Sequence, residues 1–444
     1  MNSQDAILPR PCLQALRRAT VPFMPTLRRV VSRWQIVALA INGVVGSGVY
    51  LLPAAAAAML GPASLWAVVL AGLAVLLIVL CFAEASTHFD EPGSAYLYAR
   101  EAFGAFIGFE IGWMMWLARV ATVASLSVGF AQALGYLLPS VTHGIGRTFA
   151  IVIPLTALSV INVIGVRSGV NTAVVLVVAK LLPLMIFVAV GIFALSPALI
   201  TGQEASGAGG LGQAALLLLF AYAGFENTAA AAGEFKNPRR DVPFALIVEI
   251  GIVTVFYVAV QWVALGTVPD LGASETPLAD GARIFLGHWG GWLLTAGAVV
   301  SILGTSNNSV IAGPRYLFAL ARDGFGPRFL ASVHPRFRTP AAAIVFQGAI
   351  ALPLALSGSF VGLATLSVIA RLTAYVATTT AVPVLRRRES SAGGFRLPSG
   401  VAIPVAATIV SLGLLASASW ANLLAGAVAL GLGGVIYLLR RKTG

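Results

Sequence analysis

Twelve apolar runs, each about as long as a bilayer core is thick, follow one another along this chain with only short turns between them. They fall at roughly 34–58, 63–86, 104–138, 148–164, 171–195, 213–232, 243–266, 290–319, 341–357, 360–384, 401–419 and 421–439. A helix rises about 1.5 Å per residue, so about 20 apolar residues cross a hydrocarbon layer of about 30 Å. Backbone amides and carbonyls find no water in that layer, and helices satisfy them within a single segment. The chain is therefore expected to be an all-α membrane protein with twelve transmembrane helices. Its share of hydrophobic residues, 58% against 10% charged, exceeds what a soluble core would hide.

Basic residues give the orientation. Of the 28 Lys and Arg, 22 fall on one side of the expected spans, 2 (Arg147 and Arg283) on the other, and 4 (Arg119, Lys180, Arg315 and Arg371) within spans. Cytoplasmic loops are the ones rich in Lys and Arg, so both termini are expected in the cytoplasm of a multi-pass cell-membrane protein. The net charge of +12 follows this topology and does not point to nucleic acid. Residues 1–33 read as a cytoplasmic tail without a signal peptide, 34–439 as one transmembrane domain and 440–444 as a second tail.

The first and sixth spans are interrupted. Gly43-Val-Val-Gly-Ser-Gly48 breaks the first, with Pro53 beyond it, and Phe220-Ala-Tyr-Ala-Gly-Phe-Glu226 breaks the sixth. Each glycine costs a helix about 1 kcal/mol relative to alanine, and an opened helix in lipid exposes unsatisfied amides and carbonyls. Unwound backbone is tolerated at membrane depth where it lines a cavity; there freed amides suit a carboxylate and freed carbonyls a cation. An α-amino acid supplies both charges. The glycines of the first break alone are equally compatible with close helix packing, and the second interruption favours a binding site. Because the breaks lie five spans apart, an odd number, the second copy of a five-span unit enters the membrane inverted. Repeat one is expected at about 34–195, repeat two at about 213–384, and two extra helices at about 401–439.

At these motifs the chain resembles the amino acid–polyamine–organocation (APC) superfamily, over nearly its whole length. Gly43-Val-Val-Gly-Ser-Gly-Val-Tyr-Leu-Leu-Pro53 looks like the family's first-helix signature, and Phe220–Glu226 with Glu234-Phe-Lys-Asn-Pro-Arg-Arg240 like its sixth. Pro92-Gly-Ser-Ala-Tyr-Leu-Tyr98, Ala312-Gly-Pro-Arg315 and Arg322-Asp-Gly324 are further matches. The resemblance implies a LeuT-like five-plus-five inverted repeat, with helix breaks at Gly43, Gly46 and Gly224. It implies carboxylate contacts at Val44, Ser47 and Gly48, and ammonium contacts at the carbonyls of Phe220 and Ala223, with Phe220 where arginine-exchanging relatives carry a gating tryptophan. Asn307-Asn308 stands near a second tryptophan of those relatives, which argues against a guanidinium substrate. The aromatic surroundings Phe220, Tyr222 and Phe225 point to a neutral amino acid, with Phe225 among the substrate-binding residues.

Lys180 lies about nine residues into the fifth span, ~13 Å from its cytoplasmic end and about twice the reach of a snorkelling lysine. An ionisable group at that depth is functional by default, and in sodium-independent members of the resembled family a fifth-helix lysine stands in for sodium. Lys180 and Glu226 are accordingly the expected proton-coupling residues, against the alternative that each only ties a broken helix in place. Glu84, Glu110, Arg119, Glu249 and Arg371 read mainly as inter-helix pairs or interfacial residues. The four histidines carry no second ligand at metal spacing, so neither metal nor cofactor is expected, and no nucleotide loop or nucleophile elbow appears. The expected activity is secondary transport of an amino acid by alternating access with proton symport, not enzymatic chemistry; protons and membrane lipid are the implied partners. Amino acid exchange is the alternative within transport, and an amino acid sensor or channel the alternative outside it.

Overall fold

A computed structural model describes residues 33–89, 94–165, 170–201, 210–230, 237–388, 395–398 and 400–441. The N-terminal tail up to residue 32, the motif residues Pro92, Gly93 and Glu234 to Lys236, and 442–444 lie outside the described residues. Within those described, all regular structure is helical. Eight helical segments are long and apolar enough to cross a membrane, and Ala341–Ser357 and Ala402–Ala416 are shorter apolar helices. The chain is a multi-pass membrane protein.

The first apolar run forms α1 (Arg33–Val44) and α2 (Gly48–Leu60), with Val45, Gly46 and Ser47 unwound between them. α3 (Ser64–Thr87), α4 (Ser94–Phe103), α5 (Ala105–Leu134), α6 (Gly144–Ile164), α7 (Val170–Gly191) and the short α8 (Pro197–Thr201) follow. The sixth run forms α9 (Leu211–Tyr222) and α10 (Glu226–Ala230), separated by Ala223, Gly224 and Phe225. The remainder comprises α11 (Pro238–Thr267), α12 (Pro277–Arg322), α13 (Ala341–Ser357), α14 (Phe360–Arg388), α15 (Ala402–Ala416) and α16 (Trp420–Arg441).

Two helical stretches were not expected from hydropathy. α4 lies where the sequence reads as a loop; Ala95, Tyr98, Ala99 and Ala102 recur at helical spacing, and all four are buried against its neighbours α5 and α14. α12 starts at Pro277 instead of near residue 290, because a separate helical stretch of nearly three turns is joined to the span across Gly287, whose φ of 68° is not helical. The scaffold centres on α5, which packs against both α12 and α14 and is buried over most of its length. At the far end of α3 the Glu84 carboxylate accepts from Arg386 Nη2 at 2.6 Å and from the Leu397 amide at 2.9 Å, which fastens α3 to α14. By contrast α16 exposes Leu424, Val428, Leu432 and Val435 outward, as a lipid-facing helix does.

The two breaks are pressed together. A Cβ on Gly224, whose φ is 134°, would sit 2.4 Å from the Gly43 carbonyl oxygen, and one on Gly48 would sit 2.5 Å from the Ala221 Cα. Both obstacles are backbone, so neither can swing aside. Gly48→Ala is therefore expected to force α2 from α9 and to lower stability by about 1–3 kcal/mol. Gly251→Ala, on α11 with nothing within 4 Å of the added methyl, is expected to hold or raise stability. Thermal unfolding in detergent compares them, and equal melting temperatures would contradict this packing.

Candidate functional site

Where α1 stops, its last carbonyls lose their helical partners. Lys180, on α7 and 1% exposed, supplies replacements: its Nζ donates to the Asn42 carbonyl at 2.7 Å and to the Val45 carbonyl at 2.9 Å. Ser301 Oγ donates to the same Val45 carbonyl at 3.3 Å, and Tyr50 Oη donates to the Lys180 carbonyl at 2.7 Å. Lys180 therefore bridges the broken first helix to α7 from outside the cavity.

The second break is held by charge. Glu226 opens α10, and its Oε2 accepts from the Gly224 amide at 3.0 Å. Its Oε1 accepts from Arg119 Nη2 on α5 at 3.1 Å and from Arg371 Nη1 on α14. Arg119 Nη2 also donates to Asn227 Oδ1 at 2.6 Å, and Arg371 Nη2 to Thr122 Oγ1 at 3.0 Å. These two arginines read as structural pairs in the sequence, without assignable partners. The signal that could have joined them was the rarity of ionised groups at membrane depth, which forces Arg119, Arg371 and Glu226 to find one another.

A small cavity lies between the breaks. The first break contributes Gly43, Val44, Gly46, Ser47 and Gly48 to its wall, and the sixth contributes Phe220, Ala223, Gly224 and Asn227. Arg119 and Thr122 of α5, Asn308 of α12 and Arg371 of α14 close the other side. Thus eight of the expected residues meet around one space. Three do not line it. Lys180 and Glu226 stand behind the two breaks, and Phe225 points away: its ring packs edge-on against Phe82 and beside Tyr375, each at 5.3 Å between centroids. The cause is the left-handed turn at Gly224, which reverses the face that the next side chain presents. Phe225 is thus a packing residue and not a wall of the cavity. Tyr222 likewise turns outward, with its hydroxyl donating to the Val68 carbonyl at 3.2 Å.

Two residues that line this cavity carry a buried polar atom without a hydrogen-bond partner among the described residues, Ser47 at Oγ and Arg119 at Nε. An unmet buried polar group costs about 1–3 kcal/mol. No group of His, Cys, Asp and Glu able to hold a metal occurs among the described residues.

Comparison with known proteins agrees with this geometry. The family described as "Amino acid permease" matches residues 31–430. The branched-chain amino acid permease BcaP of Bacillus subtilis is 29% identical, with 93% of each chain covered. The serine/threonine exchanger SteT of the same organism is 33% identical over 79% of this chain and 82% of its own. Cationic amino acid transporter 4 of Arabidopsis thaliana, a vacuolar protein, is 27% identical over 81% of this chain and 64% of its own. The match spans both broken helices and the scaffold around them, and on that basis the chain belongs to the amino acid permease family of the APC superfamily.

Proposed function

We propose that this protein is a secondary transporter that moves an α-amino acid across the cell membrane by alternating access, with proton coupling through Lys180. Its architecture in this reading is the twelve-span, five-plus-five inverted repeat with two extra helices, both termini in the cytoplasm. The observation that carries it is the Lys180 ammonium bonded to the Asn42 carbonyl in the last turn of α1 and to the Val45 carbonyl where the first break begins, directly behind the cavity wall.

The substrate's carboxylate binds at the first break, where the Ser47 hydroxyl is open and the amides of Ser47 and Gly48 begin α2. Its ammonium binds at the carbonyls ending α9, around Phe220 and Ala223. Losing the Lys180 proton weakens two bonds to carbonyl oxygens at once, which frees the first break to change shape; regaining it restores them. Glu226, expected alongside Lys180 in coupling, is assigned to anchoring instead, since three donors converge on its carboxylate. Exchange is the second reading, favoured by the similarity to a serine/threonine exchanger.

Uptake of radiolabelled amino acids into proteoliposomes is expected to be sodium-independent and to rise with an inward proton gradient. Lys180→Ala is expected to abolish the gradient-driven part, and Lys180→Arg to fold but remain locked, because a guanidinium keeps its proton. Full gradient-driven uptake by the Ala variant would leave Lys180 as a tether only. Uptake that needs internal amino acid and ignores the gradient would establish exchange. Ser47→Leu is expected to abolish binding, measured as loss of substrate-induced thermal stabilisation, because Ser47 lines the cavity and is 1% exposed, which leaves a bulky side chain no room.

A further inference from the structure

We propose that the substrate carries a second carboxylate, so that the cavity selects an acidic α-amino acid and Arg119 recognises its side chain. This rests on the amino acid transport reading above and narrows the substrate to a class.

The charges around the cavity do not balance. Arg119 and Arg371 both line it, and each is 2% exposed. Arginine keeps its proton at any accessible pH, so the pair contributes two fixed positive charges. Glu226 is their shared counter-charge, and it is already engaged by both guanidiniums and by the Gly224 amide. One positive charge is left over at membrane depth, where an uncompensated ion is expensive. Among the described residues no carboxylate lines the cavity: Glu226 stands behind its wall, and Glu249, buried on α11, is not part of it.

The leftover charge sits on a guanidinium that lines the cavity. Arg119 Nη2 bonds Glu226 and Asn227 and the Tyr316 hydroxyl lies beside the same group, whereas its buried Nε meets no partner in hydrogen-bond geometry among the described residues. A planar guanidinium edge matches a carboxylate and gives charge-assisted bonds stronger than neutral ones. A neutral amino acid brings one carboxylate and one ammonium, both taken up by the two helix breaks, and leaves the excess untouched. An acidic side chain supplies the missing negative charge beside the Arg119 guanidinium. The neutral substrate expected from the sequence rested on the aromatic residues Phe220, Tyr222 and Phe225; of these Tyr222 and Phe225 turn away from the cavity, and Arg119 and Arg371 line it. The relatives do not decide between side chains, since their names range over branched-chain, serine/threonine and cationic amino acids.

The test is competition uptake into proteoliposomes of the full-length protein with aspartate, glutamate, serine, leucine and lysine. Aspartate or glutamate is expected to compete at least about tenfold better than serine or leucine, the size of one hydrogen bond to a charged group. Arg119→Gln is expected to shrink that ratio to near unity, and Arg119→Lys to keep its order. Should Arg119→Gln fail to fold, melting-temperature shifts of the wild type serve instead: aspartate or glutamate is expected to stabilise more than serine, leucine or chloride. Uptake confined to neutral or cationic amino acids would overturn the acidic assignment while leaving amino acid transport standing. So would equal loss of acidic and neutral uptake in Arg119→Gln, or stabilisation by chloride with no amino acid effect. Absence of uptake for every α-amino acid would overturn the transport reading itself.

Discussion

A helix that stops halfway through a membrane must find a partner for every amide and carbonyl it frees, and the buried ionic residues Lys180, Glu226, Arg119 and Arg371 serve the two places where that happens. The Asn42 and Val45 carbonyls take Lys180, with Ser301 as a second donor to Val45. At the end of α9 the Ala221 carbonyl takes the Tyr257 hydroxyl at 3.0 Å, and the Gly224 amide takes Glu226. None of these partners belongs to the broken helix it satisfies except Glu226. The breaks are consequently defined by the scaffold as much as by their own glycines. Ser47 and Arg119, each with a buried polar atom that has no hydrogen-bond partner among the described residues, line the cavity.

Satisfying the breaks with ions introduces a second constraint. Each buried ion must be desolvated, and its geometry has to be good enough to offset that cost. Glu226 achieves this by accepting from two helices and from its own N-terminal turn, so one carboxylate joins α5, α10 and α14. The arrangement resembles a three-way clamp with one surplus charge. Thr122 and Ser367 complete it by taking further Arg371 donors, and they bond each other at 2.7 Å.

Hydropathy made the spans legible because lipid imposes one rule on every residue of a run; each expected run corresponds to a helix or a broken pair. The breaks were legible for the same reason, since Gly43 to Gly48 and Ala223-Gly224 are costly in a continuous helix. What could not be read were facts about direction and pairing. Phe225 follows Gly224 and was placed on the cavity, yet the left-handed backbone at Gly224 turns it toward Phe82. Arg119 and Arg371 are 107 and 145 residues from Glu226, and spacing along the chain carries no sign that three helices converge. α4 escaped notice because ten residues with one apolar face fall below the length at which hydropathy speaks.

Close glycine contacts and long polar reaches divide the labour between the two halves of the site. Gly48 against Ala221 and Gly224 against Gly43 leave no room for a side chain, so the two breaks form one packed body without any flexible group between them. The links from this body to α5, α7 and α14 are of the other kind: Lys180, Arg119 and Arg371 each span the gap on a long side chain ending in hydrogen bonds. Packed cores switch between discrete arrangements and do not deform smoothly, whereas a hydrogen bond at the end of a flexible stem can break and re-form as the partner shifts. A body held internally by backbone contact and externally by ionic tethers is suited to move as a unit when a tether changes. A ligand spanning Ser47 and Arg119 would bridge that same boundary, and its affinity for one position of the body over the other is what sets how far binding can shift the balance.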